Sequence, residues 1–391
     1  MATEPCTSKS MITEPLGLPA LLAPSIRAAA DDMDRRGVVP AELVTELREA
    51  GAFRLLTPRE LGGFEAPLTT VLRVYEELGR IDASVAWLVW NANFGFIGAL
   101  FDDDGNARLW GRGTEPVFAN SGQPGVAVPA DGGYRVSGNW KIVSGVDNAD
   151  WLVVVAVVVQ DGAPRLTGAG APDVRLFTVH RDQLTIKDTW NVNGMRATRS
   201  NDVRIDEALI PDDLVASIDQ PARIDRPVYR GFMPALVIPG CTAITLAIAQ
   251  RAIEETVTLV TSKRTSTGDT LADLARTQSV IAKSEAAVRA ARLLLYSAAE
   301  TLQVAGEQAE PVTMEDRAAL RAAMSHAAQV SRECLVAMYE LSGSSSLYLG
   351  NPIERLFRDG MAALQHANHS AAFFEAAGRV RFGKDPAMPL F

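Results

Sequence analysis

The sequence predicts an α+β protein, mainly α, in three parts: an N-terminal helical domain, a middle antiparallel β-domain and a C-terminal four-helix bundle. Three observations predict it. Up to about residue 112, apolar residues recur three and four apart, as in Leu43, Leu47 and Ala50. Short β-branched runs split by Gly, Asp and Pro then fill 113–227. The remainder holds four long Ala-rich segments, and long helices with short connections pack antiparallel as a bundle.

The first stretch, "MATEPCTSKSMITEP", has acids and prolines where a signal peptide needs a cationic end and an apolar run, so residues 1–18 read as a disordered tail. The helical domain follows over 19–112. Pro40 suits a first helical position and Gly51 a C-terminal stop, which brackets one short helix. The run "LTTVLRVYEELGRI" reads as another helix. It precedes "SVAWLVWNANFGFIGALF", a helix apolar on every side that belongs at the centre of a bundle. The β-domain over 113–227 carries "EPVFAN", "GYRVSGNWKIVSG", "DWLVVVAVVV", "VRLFTVH" and "DVRIDEALI" as strands, with a hairpin turn in "ADGGY". The bundle over 228–391 is expected as helices at about 232–264, 270–306, 314–342 and 352–381.

Net charge of −9 gives no basic stripe, so neither nucleic acid nor an anionic membrane is an expected partner. Cys6, Cys241 and Cys334 are odd in number and far apart, which suits a reducing cytoplasm. "WLVVVAVVV" is too short to span a bilayer, and Asn91 and Asn93 interrupt "AWLVWNANFGFIGALF", so no membrane segment is expected. The GxG in "TGAGAP" precedes a proline and a strand instead of opening a helix, which removes the dinucleotide-binding reading. No P-loop or nucleophile elbow occurs. His366 and His369 share a helix face at i,i+3, yet no carboxylate stands beside them at metal-ligand spacing, and no metal is expected.

The strings "GNWKIVSGVDNADW", "DTWNVNGMRATRSNDVRID", "LAIAQRAIEE", "SKRTSTGD" and "NPIERLFRD", in this order, resemble the acyl-CoA dehydrogenase-fold superfamily from about Pro19 to Gly383. The resemblance implies a flavin site. It places Ser144 opposite flavin N5 and O4, with Ile142 beside it, and puts Asn120 and Ser121 on the first flavin loop. It sets Trp190 against the ring and Arg264 on a flavin phosphate. Gly343 and Ser344, in "SGSSSLY", reach a neighbouring subunit's cofactor, so a homotetramer is implied. The Ser266–Thr267 pair stands where the family has an aromatic, which favours FMN over FAD.

A dehydrogenase of this superfamily needs a carboxylate base. Its two familiar positions fall here on Ala367 and about Val237. "RDGMAALQHANHS" instead resembles the two-component flavin-dependent monooxygenases (group D hydroxylases), in which a histidine seven residues after the aspartate faces the flavin; that residue is His366. The resemblance implies reduced FMN or FAD from a separate flavin reductase, addition of O2 at flavin C4a, and hydroxylation of an aromatic, heteroaromatic or amine substrate. An imidazole with a pKa near 6.5 suits that work. Trp90, Asn93, Phe94 and His369 are the expected substrate-pocket residues, with Trp90, Phe94 and Phe96 on one helix as an apolar wall. Phenol hydroxylases of the group often carry a second histidine on that helix, and none stands here, which leaves open substrates less acidic than phenol, such as an indole, a polyketide-like ring or an amine. An acyl-CoA dehydrogenase with an unusually placed base and a catalytically lapsed flavin-binding tetramer are the alternatives.

Overall fold

A computed structural model describes residues 14–111, 113, 115–168, 170–217, 220–264, 266, 268–388 and 391. Five helices come first: α1 (Leu18–Arg36), α2 (Ala41–Ala50), α3 (Leu68–Ile81), α4 (Ala83–Ala92) and α5 (Asp103–Trp110). Most of the tail expected over 1–18 lies outside the described residues. Its end, however, is already structured, because Leu18 opens α1 with its side chain wholly buried. Pro40 caps α2 one residue ahead of the expected place, and Gly51 closes that helix at φ 88°.

The sheet follows: β1 (Phe118–Ala130), β2 (Gly133–Val143), β3 (Trp151–Gln160), β4 (Ala163–Pro164), β5 (Val174–His180), β6 (Thr185–Lys187), β7 (Asn201–Pro211) and β8 (Val215–Ser217). Its order is β6-β7-β2-β1-β3-β5-β8, with β4 on β3. One expectation is corrected here: β1 and β3 pair parallel, so the sheet is mixed. The β1–β2 hairpin turns at Gly132, φ 74°, and the chain then crosses to the free edge of β1, so β3 runs in the direction of β1.

The C-terminal part is α6 (Gly240–Ser262), α7 (Ala275–Gln308), α8 (Met314–Ser342), α9 (Pro352–Ala363) and α10 (Ala372–Arg381). The fourth expected helix is therefore two. The chain leaves the helix at Leu364 and makes a single 3₁₀ turn at Ala367–His369 before α10. α6 lies in the middle of the core, packed on α3, α8 and α9. By length and composition, Met233–Ser262 could cross a membrane, yet 83% of that apolar window is buried inside the fold.

Two family-like strings meet where α9 touches the sheet. A Cβ on Gly194 would lie 2.2 Å from the carbonyl oxygen of Arg358, so "NGMR" can approach "FRD" only with glycine there. The Met195 amide donates to the buried Asp359 Oδ1 at 2.7 Å, and the Arg358 guanidinium binds Asp34 at 3.0 Å. These motif residues are joints between the sheet, α1 and the bundle.

Candidate active site

α4 supplies the wall on which the site is built. Its one-turn spacing sends Trp87 and Trp90 to the same side, with ring centroids 4.7 Å apart. Each indole N–H has a partner: Trp90 Nε1 donates to the Val237 carbonyl at 2.7 Å, and Trp87 Nε1 to Ser144 Oγ at 3.1 Å. The imidazole of His366 stands edge-to-face against both rings, at 5.6 Å from Trp87 and 5.3 Å from Trp90.

His366 does not share an α-helical face with His369, as the sequence spacing suggested. It caps the Ala367–His369 turn, and its Nδ1 accepts the Asn368 amide at 3.2 Å. That bond leaves the ring proton on Nε2. Enclosure, with the Arg321 guanidinium second, pushes the imidazole down to about 4. The expected titration near neutrality is thereby corrected: the ring is neutral well below pH 6.5. His369 is buried, shares a hydrogen bond with Thr242 Oγ1 at 3.2 Å through Nε2, and is pushed down by burial to about 3. Its Nδ1 is buried with no hydrogen-bond partner.

Both histidines line a cavity of about 460 Å³ with Ser325, Gln329, Arg332 and Phe374. No Asp or Glu lines it among the described residues. Neither expected carboxylate position contradicts this, since Ala367 lies in the turn and Val237 offers only its carbonyl to Trp90.

Ser144 is buried, and its hydroxyl is committed. Thr198 Oγ1 donates to the Met195 carbonyl at 2.8 Å, so it must accept from Ser200, at 2.7 Å; Ser200 in turn accepts from Ser144, at 2.8 Å. Donation thus runs one way, from the Trp87 indole through three hydroxyls to the Met195 carbonyl. The hydroxyl or the backbone of Ser144 is the expected flavin contact; the hydroxyl proton goes to Ser200 and its oxygen anchors Trp87, which leaves the backbone for that place. Trp190 Nε1 reaches the same Met195 carbonyl at 3.1 Å, which fixes that half-buried indole on the loop. Arg196 is bound to the Asp34 carbonyl at 2.7 Å and has no part in this group.

Next to Ser144 the two central strands both break register, β1 between Ser121 and Pro124 and β2 between Trp140 and Val143. Ile142, in the β2 break, has φ 58° and is 62% exposed. A β-branched residue in the left-handed region is strained, and such strain collects at functional sites. Asn120 Nδ2 donates to the Asn91 carbonyl at 3.0 Å, tying the β1 break to α4, and Ser121 Oγ accepts the Gln123 amide at 3.4 Å. A bare aliphatic surface beside hydroxyl and amide groups fits a flat ring with an apolar face and a polar edge, so these residues could hold a flavin.

Several expected pocket and cofactor positions lie elsewhere. Asn93 is fully used by the backbone: it accepts from Leu55 N at 2.7 Å and donates to the Ala52 and Val89 carbonyls, both at 2.8 Å. It ends α4 there, so Phe94 and Phe96, 4.9 Å apart, sit beyond the helix instead of on it. Arg264 is exposed and donates to the Gly268 carbonyl in its own loop at 2.7 Å. The cation that reaches the glycine-serine loop is Lys263, bound to the Ser342 carbonyl and Ser345 Oγ, both at 2.9 Å. Gly343 and Ser344 are exposed beside it, and Thr267 lies outside the described residues. From Thr242 to Arg264 is one helix length, about 33 Å at 1.5 Å per residue. Arg264, Gly343 and Ser344 are thus remote from His366 within one chain.

Trp87 was legible in the sequence as the residue one turn from Trp90, whereas nothing in an Ala-rich helix marked Arg321 as buried at the site.

The acyl-CoA dehydrogenase N-terminal domain model matches residues 19–108 and the acyl-CoA dehydrogenase C-terminal domain model matches 240–371. An indole-3-acetate monooxygenase of Pseudomonas putida is 28% identical over 366 residues, covering 92% of this chain and 91% of its own. The oxygenase component of an FADH2-dependent resorcinol hydroxylase of a Rhizobium species is 28% identical over 371 residues, 90% of this chain and 89% of its own. The crystal structure of the HsaA monooxygenase from Mycobacterium tuberculosis superposes with a TM-score of 0.88 at 26% identity, over 96% of this chain and 99% of that one. With both family domains in place and monooxygenases matched nearly end to end, the chain belongs to the acyl-CoA dehydrogenase-fold superfamily, in its branch of flavin-dependent monooxygenases.

Proposed function

We propose that this chain is the oxygenase component of a two-component system, with His366 as the hydrogen-bond donor at the reacting oxygen. The observation that carries this is a neutral imidazole, with its proton on Nε2, in a cavity that no carboxylate lines among the described residues. A dehydrogenase would need a base there, whereas a neutral imidazole with its proton on Nε2 can donate a hydrogen bond to a reacting oxygen.

Reduced FMN or FAD, delivered by a separate reductase, supplies the two electrons and the activation of O2. One oxygen atom enters the substrate as a hydroxyl, and the other leaves as water with two protons. Ile142, Asn120 and Ser121 hold the ring at the register breaks. Trp87 and Trp90 exclude water from one side of His366, and the Ser144 hydroxyl keeps the Trp87 plane in place. The substrate is an aromatic, heteroaromatic or amine. Arg264, Gly343 and Ser344 serve a flavin held by a neighbouring copy in a homotetramer, since one helix length separates them from the site of their own chain. Exposed Leu347, Tyr348 and Leu349 offer the contact surface.

The test supplies chemically reduced FMN or FAD, isotopically heavy dioxygen and indole-3-acetate, indole or resorcinol as probes. Mass spectrometry is expected to find one heavy oxygen atom in a hydroxylated product. Bleaching of bound flavin by an acyl-CoA in the absence of oxygen, or recovery of all dioxygen consumed in the aerobic assay as hydrogen peroxide with no hydroxylated product, would overturn the reading.

A further inference from the structure

The turn that carries His366 hangs from a buried arginine. Arg321, on α8, is 3% exposed and stacks its guanidinium 4.3 Å from the Phe373 ring centre. Burial draws it down to about 10, so it is still charged at neutral pH. Its Nη1 donates to Asn368 Oδ1 at 3.2 Å. Asn368 uses its other side-chain atom on the Ile238 carbonyl at 3.4 Å, and its amide on His366 Nδ1. A single residue therefore links the helix cation, the entry to α6 and the imidazole.

We propose that Arg321, acting through Asn368, is a positioning residue that keeps His366 in one tautomer, neutral and with its proton on Nε2. The inference rests on His366 as the functional imidazole. The link has two parts. The Asn368 side chain, clamped between Arg321 and Ile238, sets the turn so that its amide occupies Nδ1. The guanidinium charge beside the ring opposes a second proton. The other groups around the ring do not reverse this: α4 presents Trp87 and Trp90, which do not titrate in this range, and α6 presents Cys241, whose thiol burial pushes up to about 12. The turn itself adds His369, also neutral, and α8 adds Arg332, whose charge is felt at His369.

The test is nitrogen NMR of histidine-labelled full-length protein without flavin, in which only four imidazoles contribute. The His366 signals are identified by their loss in His366→Gln. The unaltered protein should show one tautomer, protonated on Nε2. Arg321→Met should raise the His366 midpoint by about one pH unit, a tenfold gain in proton affinity. Arg321→Lys, which keeps the charge, should leave the midpoint near its original place. Asn368→Ala, which keeps both charge and amide but frees the turn, should admit the second tautomer. Cooperative thermal melting of each variant checks folding. A mixed tautomer in the unaltered protein, or variants that melt cooperatively with tautomer and midpoint unchanged, would sink the proposal. Because no turnover is measured, a failed hydroxylation assay would count against the function of His366 and leave this result standing.

Discussion

Two polar clusters lie along one stretch of chain, residues 352–369, and they are built oppositely. The first, on α9, is ionic. Arg355 binds Asp82 at 2.6 Å and Asp359 at 3.4 Å, while Arg358 binds Asp34 and Glu354. Its acids also hold backbone: Asp82 caps α4 through the Val85 amide, and Asp359 takes the Met195 amide. The second, after the helix breaks, holds two uncharged imidazoles hydrogen-bonded to Asn368 and Thr242, and its charged neighbours, Arg321 and Arg332, are both cations. Full charges are used where the molecule must be joined rigidly. Where His366 stands beside the cavity, with its ring against Trp87 and Trp90, ionisation is suppressed by enclosure and by a cation of like sign.

The comparison can be broken most severely at the ionic end. Arg355→Leu would leave Asp82 and Asp359 buried without their cation and should cost about 3–5 kcal/mol in urea unfolding. A loss below about 1 kcal/mol would show that the cluster does not join α9 to α4. At the neutral end, His366→Ala should lower hydroxylation by about 100-fold or more. Flavin binding, followed by fluorescence quenching, should change less than twofold, about 0.4 kcal/mol.

That second prediction depends on a break the sequence did not display. "MAALQHANHS" contains no proline or glycine and keeps helical spacing, so two histidines three apart read as one helix face; the turn that separates them is imposed by Asn368 and its tertiary partners. The three-part order was legible because helix and strand periodicities differ and each segment is long. Asn93 was not, since a polar residue in an apolar run looks the same whether it faces a pocket or three backbone groups. Arg264 and Lys263 are adjacent in sequence, and only the end of α6 decides which of them turns toward Ser342.

Smaller effects sharpen the contrast. Ser144→Ala interrupts the hydroxyl chain and leaves the Trp87 N–H buried without its acceptor, at a cost of about 1–3 kcal/mol. Ser144→Thr should restore most of it, measured by urea unfolding. The pH dependence of stability separates the clusters by sign. His366 and His369 fall from an ordinary 6.5 to about 4 and about 3 in the fold, so their contribution is full above pH 6.5 and is lost as pH falls through those values. Asp359 rises from 3.8 to about 6 through burial, so its contribution is present below 3.8 and is lost as pH rises through 6. Replacing His369 with Gln should flatten the acid-side slope between about pH 6.5 and 3, and a slope unchanged in that window would show that the imidazole is not held neutral.

The length of α6 has a consequence for how such an enzyme retains its cofactor. In the proposed homotetramer, where Ile142 of one copy and the Gly343 loop of another would hold the same flavin, a single polypeptide would grip only part of the cofactor, and occupancy would be tied by mass action to subunit association. Dilution should then release flavin and dissociate the complex together, so that the apparent dissociation constant drifts with enzyme concentration.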